Sequence, residues 1–473
     1  MIDYSLAAPE IFLTAAICVV LMVDAFLRAE QRRWTYTLSM LALVGTAICS
    51  ALFGVDERLT TFTGSYVADP AGDVLKLFAY LIVALVFLYS RDYLEENGLF
   101  KGEFFVLGLL GLLGVMIIIS GNNLLVLYLG LEVQSLSLYA LIALNRESAR
   151  SAESAMKYFV LGAIASGTLL YGISLLYGMT GTIELGPLAA QLAEPGGLNV
   201  PTVLALAFIV VGVAFKFGAV PFHMWIPDVY QGAPTPVALY VGSAPKIAAF
   251  ALAWRVLVDG LGPLHVSWSD MLIVLCVLSL VIGNLLAIVQ SNFKRMLGYS
   301  TISHVGFILM GFIAGTEDGI RFAMFYTIAY VLMATAAFGM ILMLSRKGFE
   351  AENLEDFKGL NARSPWFAAV MLLIMFSMTG VPPLIGFYAK LVVLNSLLEV
   401  GLVWLAALGV VFAVIGAFYY LRVVWYMYFN EPVETAPLAP ATDLRVAISA
   451  NGLLLLALGI FPGALLNLVA RVL

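Results

Sequence analysis

The sequence predicts an all-α protein that crosses a membrane fourteen times, and three observations predict it. Of its 473 residues, 62% are hydrophobic and only 11% charged, against roughly 25% charged in a soluble globular domain. The apolar residues gather into runs long enough to span a bilayer, for which a helix needs about 20 residues over a core about 30 Å thick. The basic residues gather between those runs, on alternate connections.

The runs fall near 8–27, 34–54, 73–90, 104–121, 123–144, 157–179, 202–221, 235–258, 271–291, 297–315, 321–344, 366–400, 404–429 and 446–470. No basic leader precedes the first, which follows Asp3 and Glu10, so it reads as a retained helix rather than a cleaved signal peptide. With fourteen spans both termini lie on one side and the odd-numbered connections on the other. The odd connections and their flanks carry fifteen of the 24 basic residues and the opposite side five, Arg58, Lys76, Arg255, Arg321 and Arg471. By the positive-inside rule the odd connections face the cytoplasm and both termini face outward. The formal charge of −6 matters less than where each charge sits. The connections are too short to hold a soluble domain, so chemistry outside the membrane would need another chain. Cys18, Cys49 and Cys276 lie apart in apolar stretches, without disulfide or zinc-ligand spacing.

Four basic residues remain inside spans: Lys216, Lys246, Lys390 and Arg422. One carboxylate, Glu132, falls in mid-span five. An ionisable group at helix centre costs roughly 2.5–3.5 kcal/mol on insertion scales, so such groups mark function or are held in pairs. Arg422 lies near the end of its span, where it can snorkel to the headgroups. Each of the three lysines lies within seven residues of a proline, and helix breaks in lipid persist only where protein or internal water satisfies the freed backbone groups. Lysine suits proton carriage because burial and neighbouring charges tune its affinity; Glu132 with Lys216 would form an adjustable pair. The alternative is a static ion pair that merely joins helices.

His304, beside Ser300, Thr301 and Ser303, is either a proton relay or a hydrogen-bonded core residue. His223, just after Pro221, is expected to be satisfied by the loop backbone. Lys157 opens span six and is either an entrance residue or an ordinary anchor. Gly108, Gly111 and Gly114 share one face of span four and imply close helix packing.

Spans four to eight (104–258) and nine to thirteen (271–429) form two groups of five, followed by a final helix at 446–470. An odd number of helices inverts the second copy, and in each group the fourth helix, span seven or twelve, carries prolines and a lysine. The chain therefore reads as one transmembrane domain built from two inverted repeats with broken helices seven and twelve. Lys216 precedes Pro221, whereas Lys390 follows Pro382 and Pro383, so these two lysines fall in different halves of their broken helices.

The segments AFKFGAVPFHMWIPDVYQGAPTPV, SNFKRMLGYSTISHVGFILMG and MTGVPPLIGFYAK resemble the signature segments of the antiporter-like membrane subunits of respiratory complex I, which are similar to Mrp-type sodium/proton antiporter subunits. The resemblance runs from span three onward. Within the family one kind of subunit adds a long lateral helix after its fourteenth span, where this chain stops at Leu473. Another usually carries glutamate where this chain has Lys390, so the chain is closest to a third kind. The resemblance implies a proton path through Glu132, Lys216, Lys246 and Lys390, with His304 and Lys157 as further candidates. It also implies that the chain acts as a translocase subunit without its own redox centre, metal or cofactor. NADH, FMN, iron–sulfur clusters and quinone are then expected in partner subunits, including other antiporter-like ones, with no nucleic-acid partner. A free-standing cation/proton antiporter, a structural membrane scaffold and an intramembrane redox enzyme are the rival readings; the last is disfavoured by the few histidines and the absence of paired ligands.

Overall fold

The computed structural model describes residues 2–194, 196–432 and 441–473. It is built of helices, in chain order α1 (Ala8–Phe26), α2 (Arg33–Phe53), α3 (Pro70–Glu96), α4 (Gly102–Ser120), α5 (Leu124–Ile142), α6 (Ala149–Thr180), the short α7 (Leu185–Leu192), α8 (Val200–Phe217), α9 (Trp225–Gly232), α10 (Thr235–Gly242) and α11 (Ala244–Ala253). A π-helical turn, Trp254–Gly260, continues α11. There follow α12 (His265–Ile288), α13 (Phe293–Ala314), α14 (Glu317–Leu344), the single turn α15 (Leu360–Arg363), α16 (Pro365–Thr379), α17 (Ile385–Glu399), α18 (Val403–Phe429), α19 (Thr442–Ile460) and α20 (Gly463–Val472). Among the described residues thirteen helices are long and apolar enough to cross a membrane.

Polar residues in the connections start these helices by accepting from the free amides of the first turn: Asp69 for α3, Asn123 for α5, Ser148 for α6, Asn199 for α8, Asn292 for α13 and Thr316 for α14. The centre of the molecule is α10 with α11, α13 and α14, buried along their apolar lengths, while α1 and α2 present most of their surface outward. The glycines of α4 do what their spacing predicts. Gly108 and Gly111 lie against Tyr240 of α10, and Gly114 lies against the backbone of α5.

Three features depart from the sequence expectation. An antiparallel hairpin, β1 (Leu59–Thr61) with β2 (Tyr66–Ala68), closes the connection between α2 and α3; a run of three-residue strands is too short to register as a pattern. The final apolar stretch divides at Phe461–Pro462 into α19 and α20, because the backbone turns where proline cannot continue the helix. Three cations assigned to span ends or connections are buried instead: Lys76 on Glu10 at 2.7 Å, Arg255 on Asp69 at 2.7 Å and Asp259 at 3.1 Å, and Lys294 on Glu350 at 3.1 Å. Burial pushes the Glu350 carboxyl up, but Lys294 and the hydroxyls of Thr235 and Tyr93 outweigh that and hold it below the usual carboxylate range. Part of the connection between α18 and α19 lies outside the described residues.

Candidate functional site

The stretch around Lys216 folds as two half-helices. α8 ends at Phe217 because Gly218, at φ +78°, takes the left-handed conformation that L side chains resist. The chain then passes Pro221 and re-enters helix at Trp225. The stretch around Lys390 repeats this: α16 ends at Thr379, Gly380 has φ +92°, and α17 begins after Pro382 and Pro383.

Each candidate occupies a distinct setting. Glu132 on α5 is partly exposed at the flank of the bundle and accepts a short hydrogen bond from Ser166 of α6, whose Oγ is also 3.0 Å from the Tyr128 hydroxyl. Lys216 is buried and donates to Ser135 Oγ at 2.9 Å. Among the described residues Glu132 and Lys216 make no direct ion pair. Beside Lys216 lies a small cavity of ≈ 10 Å³ lined by Ser135, Ser166, Tyr139, Gly212 and Lys216 itself, about the space one water requires; Ser166, which bonds Glu132, is thus on the same cavity as Lys216. Next to Ser135, the wholly buried amide of Gln134 has neither Oε1 nor Nε2 hydrogen-bonded among the described residues, a demand that internal water ordinarily meets.

Lys246 on α11 is buried and donates to the Phe217 carbonyl at 2.8 Å, with its Nζ 5.3 Å from the Trp225 ring centre. Lys390 donates to the carbonyls of Thr379 at 2.7 Å and Met378 at 3.1 Å, and lies 5.2 Å from the Phe307 ring centre. His304 on α13, within reach of the Lys390 charge, has both nitrogens engaged, Nδ1 with the Tyr326 hydroxyl at 2.7 Å and Nε2 with that of Tyr420 at 3.1 Å. Tyr420 in turn bonds Ser300. Lys157 stands apart, half exposed two turns into α6, bridging Glu153 and Asp228 at 2.8 Å each, with Asp228 also held by Arg295 at 2.7 Å.

Two other residues take structural places. Arg422 donates to the carbonyls of Ile288 and Gln290 beyond the end of α12. His223 engages the loop backbone at Pro221, as expected, while its buried Nδ1 has no hydrogen-bond partner among the described residues. The residues that sequence reasoning missed are hydroxyl bearers. Ser135 was within reach, being three positions after Glu132 on one helical face; Ser166, Tyr326 and Tyr420 carry no local signal.

Discontinuous spans beside buried ionisable groups are the architecture of membrane ion carriers of the antiporter-like type. The profile of the NADH:quinone oxidoreductase/Mrp antiporter transmembrane family matches residues 121–416. The chain is 57% identical over 467 residues to NADH-quinone oxidoreductase subunit N of Thioalkalivibrio sulfidiphilus, covering 98% of this chain and 97% of that protein. It is 55% identical to subunit N of Thiobacillus denitrificans, over 98% and 96%. Among solved structures it is similar to a chain of respiratory complex I from Thermus thermophilus with bound aureothin, at 32% identity and TM-score 0.84 over 98% of this chain and 99% of that one. A chain of the Mrp complex from Dietzia sp., 20% identical with TM-score 0.85, shares the fold. The chain belongs to the NADH-quinone oxidoreductase subunit N family.

Proposed function

We propose that the chain is a proton-translocating membrane subunit of an NADH-quinone oxidoreductase, carrying protons through Glu132, Lys216, Lys246 and Lys390 while neighbouring subunits reduce quinone. One observation carries this reading. The molecule holds two sorts of buried cation. Lys76, Arg255 and Lys294 are each matched by a carboxylate, as joints between helices must be. Lys216, Lys246 and Lys390 are buried too, yet among the described residues none has a carboxylate within ion-pair distance; their partners are a hydroxyl and backbone carbonyls. A static scaffold would pair them. A carrier needs groups whose charge can change at modest cost, and a shift of one pKa unit, about 1.4 kcal/mol, compares with about 2.3 kcal/mol for moving one charge against 100 mV.

The proton is taken up from the side of the basic connections, held at Lys216 under the influence of Glu132, passed by Lys246 and internal water to Lys390, and released on the far side, where both termini lie. His304, between two tyrosine hydroxyls, serves the Lys390 end. Lys157, in its exposed ion-pair cluster, stands at the entrance. Counting α8 with α9 and α16 with α17 as broken spans gives fourteen, arranged as inverted repeats over 104–258 and 271–429 and closed by the helix at 446–470. Flavin, iron–sulfur clusters and quinone belong to other subunits, and this chain works as a translocase part of the whole enzyme. Glu132 indicates one such contact: a carboxylate partly exposed at mid-depth on the flank cannot be left to lipid, so another membrane subunit covers α5 and α6.

Lys216→Ala and Lys390→Ala are expected to lower NADH-driven proton translocation at least about tenfold, the effect of roughly 1.4 kcal/mol on a coupled step, with the complex still assembled. Translocation measured in inverted membrane vesicles against NADH–ferricyanide activity decides it, and undiminished pumping in both variants rejects the path.

A further inference from the structure

The two breaks match residue by residue. At the first, the amide of Gly218 bonds the carbonyls of Ala214 and Phe215, and that of Ala219 bonds Ala214. At the second, the amide of Gly380 bonds Phe376 and Ser377, and that of Val381 bonds Phe376. In this register Phe217 corresponds to Thr379, Gly218 to Gly380 and Pro221 to Pro383, so Lys216 corresponds to Met378, not to Lys390. What corresponds at the two breaks is an ammonium. Lys246 reaches from α11 to the Phe217 carbonyl at 2.8 Å, and Lys390 reaches back from α17 to the Thr379 carbonyl at 2.7 Å. Each ammonium also faces one aromatic ring, Trp225 at 5.3 Å or Phe307 at 5.2 Å.

The physics of the two places is alike. The last carbonyls of a helix lack intrahelical partners and carry the negative end of its dipole, and the face of an aromatic ring attracts a cation. Gly380 keeps the second place open, since a Cβ there would lie 3.1 Å from Lys390 Cδ and 3.5 Å from its Nζ. Among the described residues Lys216 meets neither carbonyl nor ring, only the Ser135 hydroxyl.

We infer that each break is a built binding site for a primary alkylammonium, formed by the terminal carbonyl of a half-helix and an aromatic face and filled from within by Lys246 or Lys390. The equivalent stations of the two repeats are therefore Lys246 and Lys390, and Lys216 is a separate element that loads the first. This deepens the proton-path reading and rests on it. The ligand class is specific: an R–NH₃⁺ group with N–H donors, not a quaternary ammonium or a carboxylate.

The site can be filled from outside. Replacing either lysine by alanine removes three carbons and the amine, the size of n-propylammonium. Complete enzyme in inverted vesicles is to be assayed for NADH-driven membrane potential with an oxonol dye, because a permeant amine collapses the pH gradient itself. n-Propylammonium is expected to raise the rate of Lys246→Ala and Lys390→Ala at least about threefold over tetramethylammonium, as occupancy of an added-ligand site rises with concentration, and to leave Lys216→Ala unchanged. Rescue of neither, with all three variants impaired, overturns the inference and leaves the path standing; rescue of Lys216→Ala to the same extent also overturns it. Full activity of the variants without amine instead removes the path reading beneath it. Should an alanine variant fail to accumulate, n-propylammonium in the growth medium is expected to restore its level, and no restoration counts against the inference.

Discussion

Among the described residues Ser135 offers the only side-chain hydroxyl to the Lys216 ammonium, and it stands on the same helix as Glu132. Its own proton goes to the Leu131 carbonyl at 2.6 Å, which leaves its lone pair directed at the lysine. A hydrogen bond to a charged group contributes about 1.5–3 kcal/mol, so Ser135→Ala is expected to slow proton translocation roughly tenfold or more, while Ser135→Thr keeps most of it. Potential generation by the two variants in vesicles checks this, and equal loss in both would show that the hydroxyl is not what matters. The charged members of the site were legible in the sequence because charge in hydrocarbon is costly wherever it occurs. The serines were not, since a hydroxyl in a helix can bond its own preceding turn and costs little. Lys76 and Arg255 were misplaced for a third reason: Glu10 lies 66 positions from the one and Asp69 186 from the other, and no local pattern announces so distant a partner.

Spans as elements were legible from length and apolarity alone, and their interruptions from proline. Where the register of the two interruptions falls was not, because glycine, not proline, sets it. Gly218 and Gly380 stop their half-helices in the left-handed region and thereby aim the last carbonyls into the protein. Alanine at 380 would strain the backbone by about 1–3 kcal/mol and press on the stem of Lys390. Gly380→Ala is therefore expected to reduce pumping severalfold while assembled complex, counted by NADH–ferricyanide activity, falls less. Loss of both in equal measure would make the glycine a folding residue only. The division of the final stretch at Phe461–Pro462 followed from a proline that was visible but sat too near the end to be weighed.

At the scale of the whole molecule, buried ion pairs fasten α1 to α3, through Glu10 and Lys76, and the start of α3 to the buried centre, through Asp69 and Arg255. Arg255 stands at the π-helical turn, wholly buried, and reaches the Ile119 carbonyl at 3.0 Å, Asp69 at the start of α3 and Asp259. Removing one partner of such a group strands the other charge, at about 3–5 kcal/mol. Arg255→Ala is expected to lower the thermal stability and yield of the complex, where Lys216→Ala, which strands no buried carboxylate, leaves both near normal. Melting temperatures of the two purified variants distinguish them, and an unaffected Arg255→Ala would remove this fastening role. The overall architecture was legible because hydrocarbon imposes length and composition on every span; the fastening was not, because it depends on which helices meet.

Glu132, half covered on the outer flank, also bears on the chain before assembly. A copy made in excess of its neighbours shows lipid a carboxylate, at a cost of a few kcal/mol, until it is protonated or docked. The same side chain that is proposed to serve transport thus marks a surplus copy as unfinished, and ties how long the chain survives to whether its companions are present.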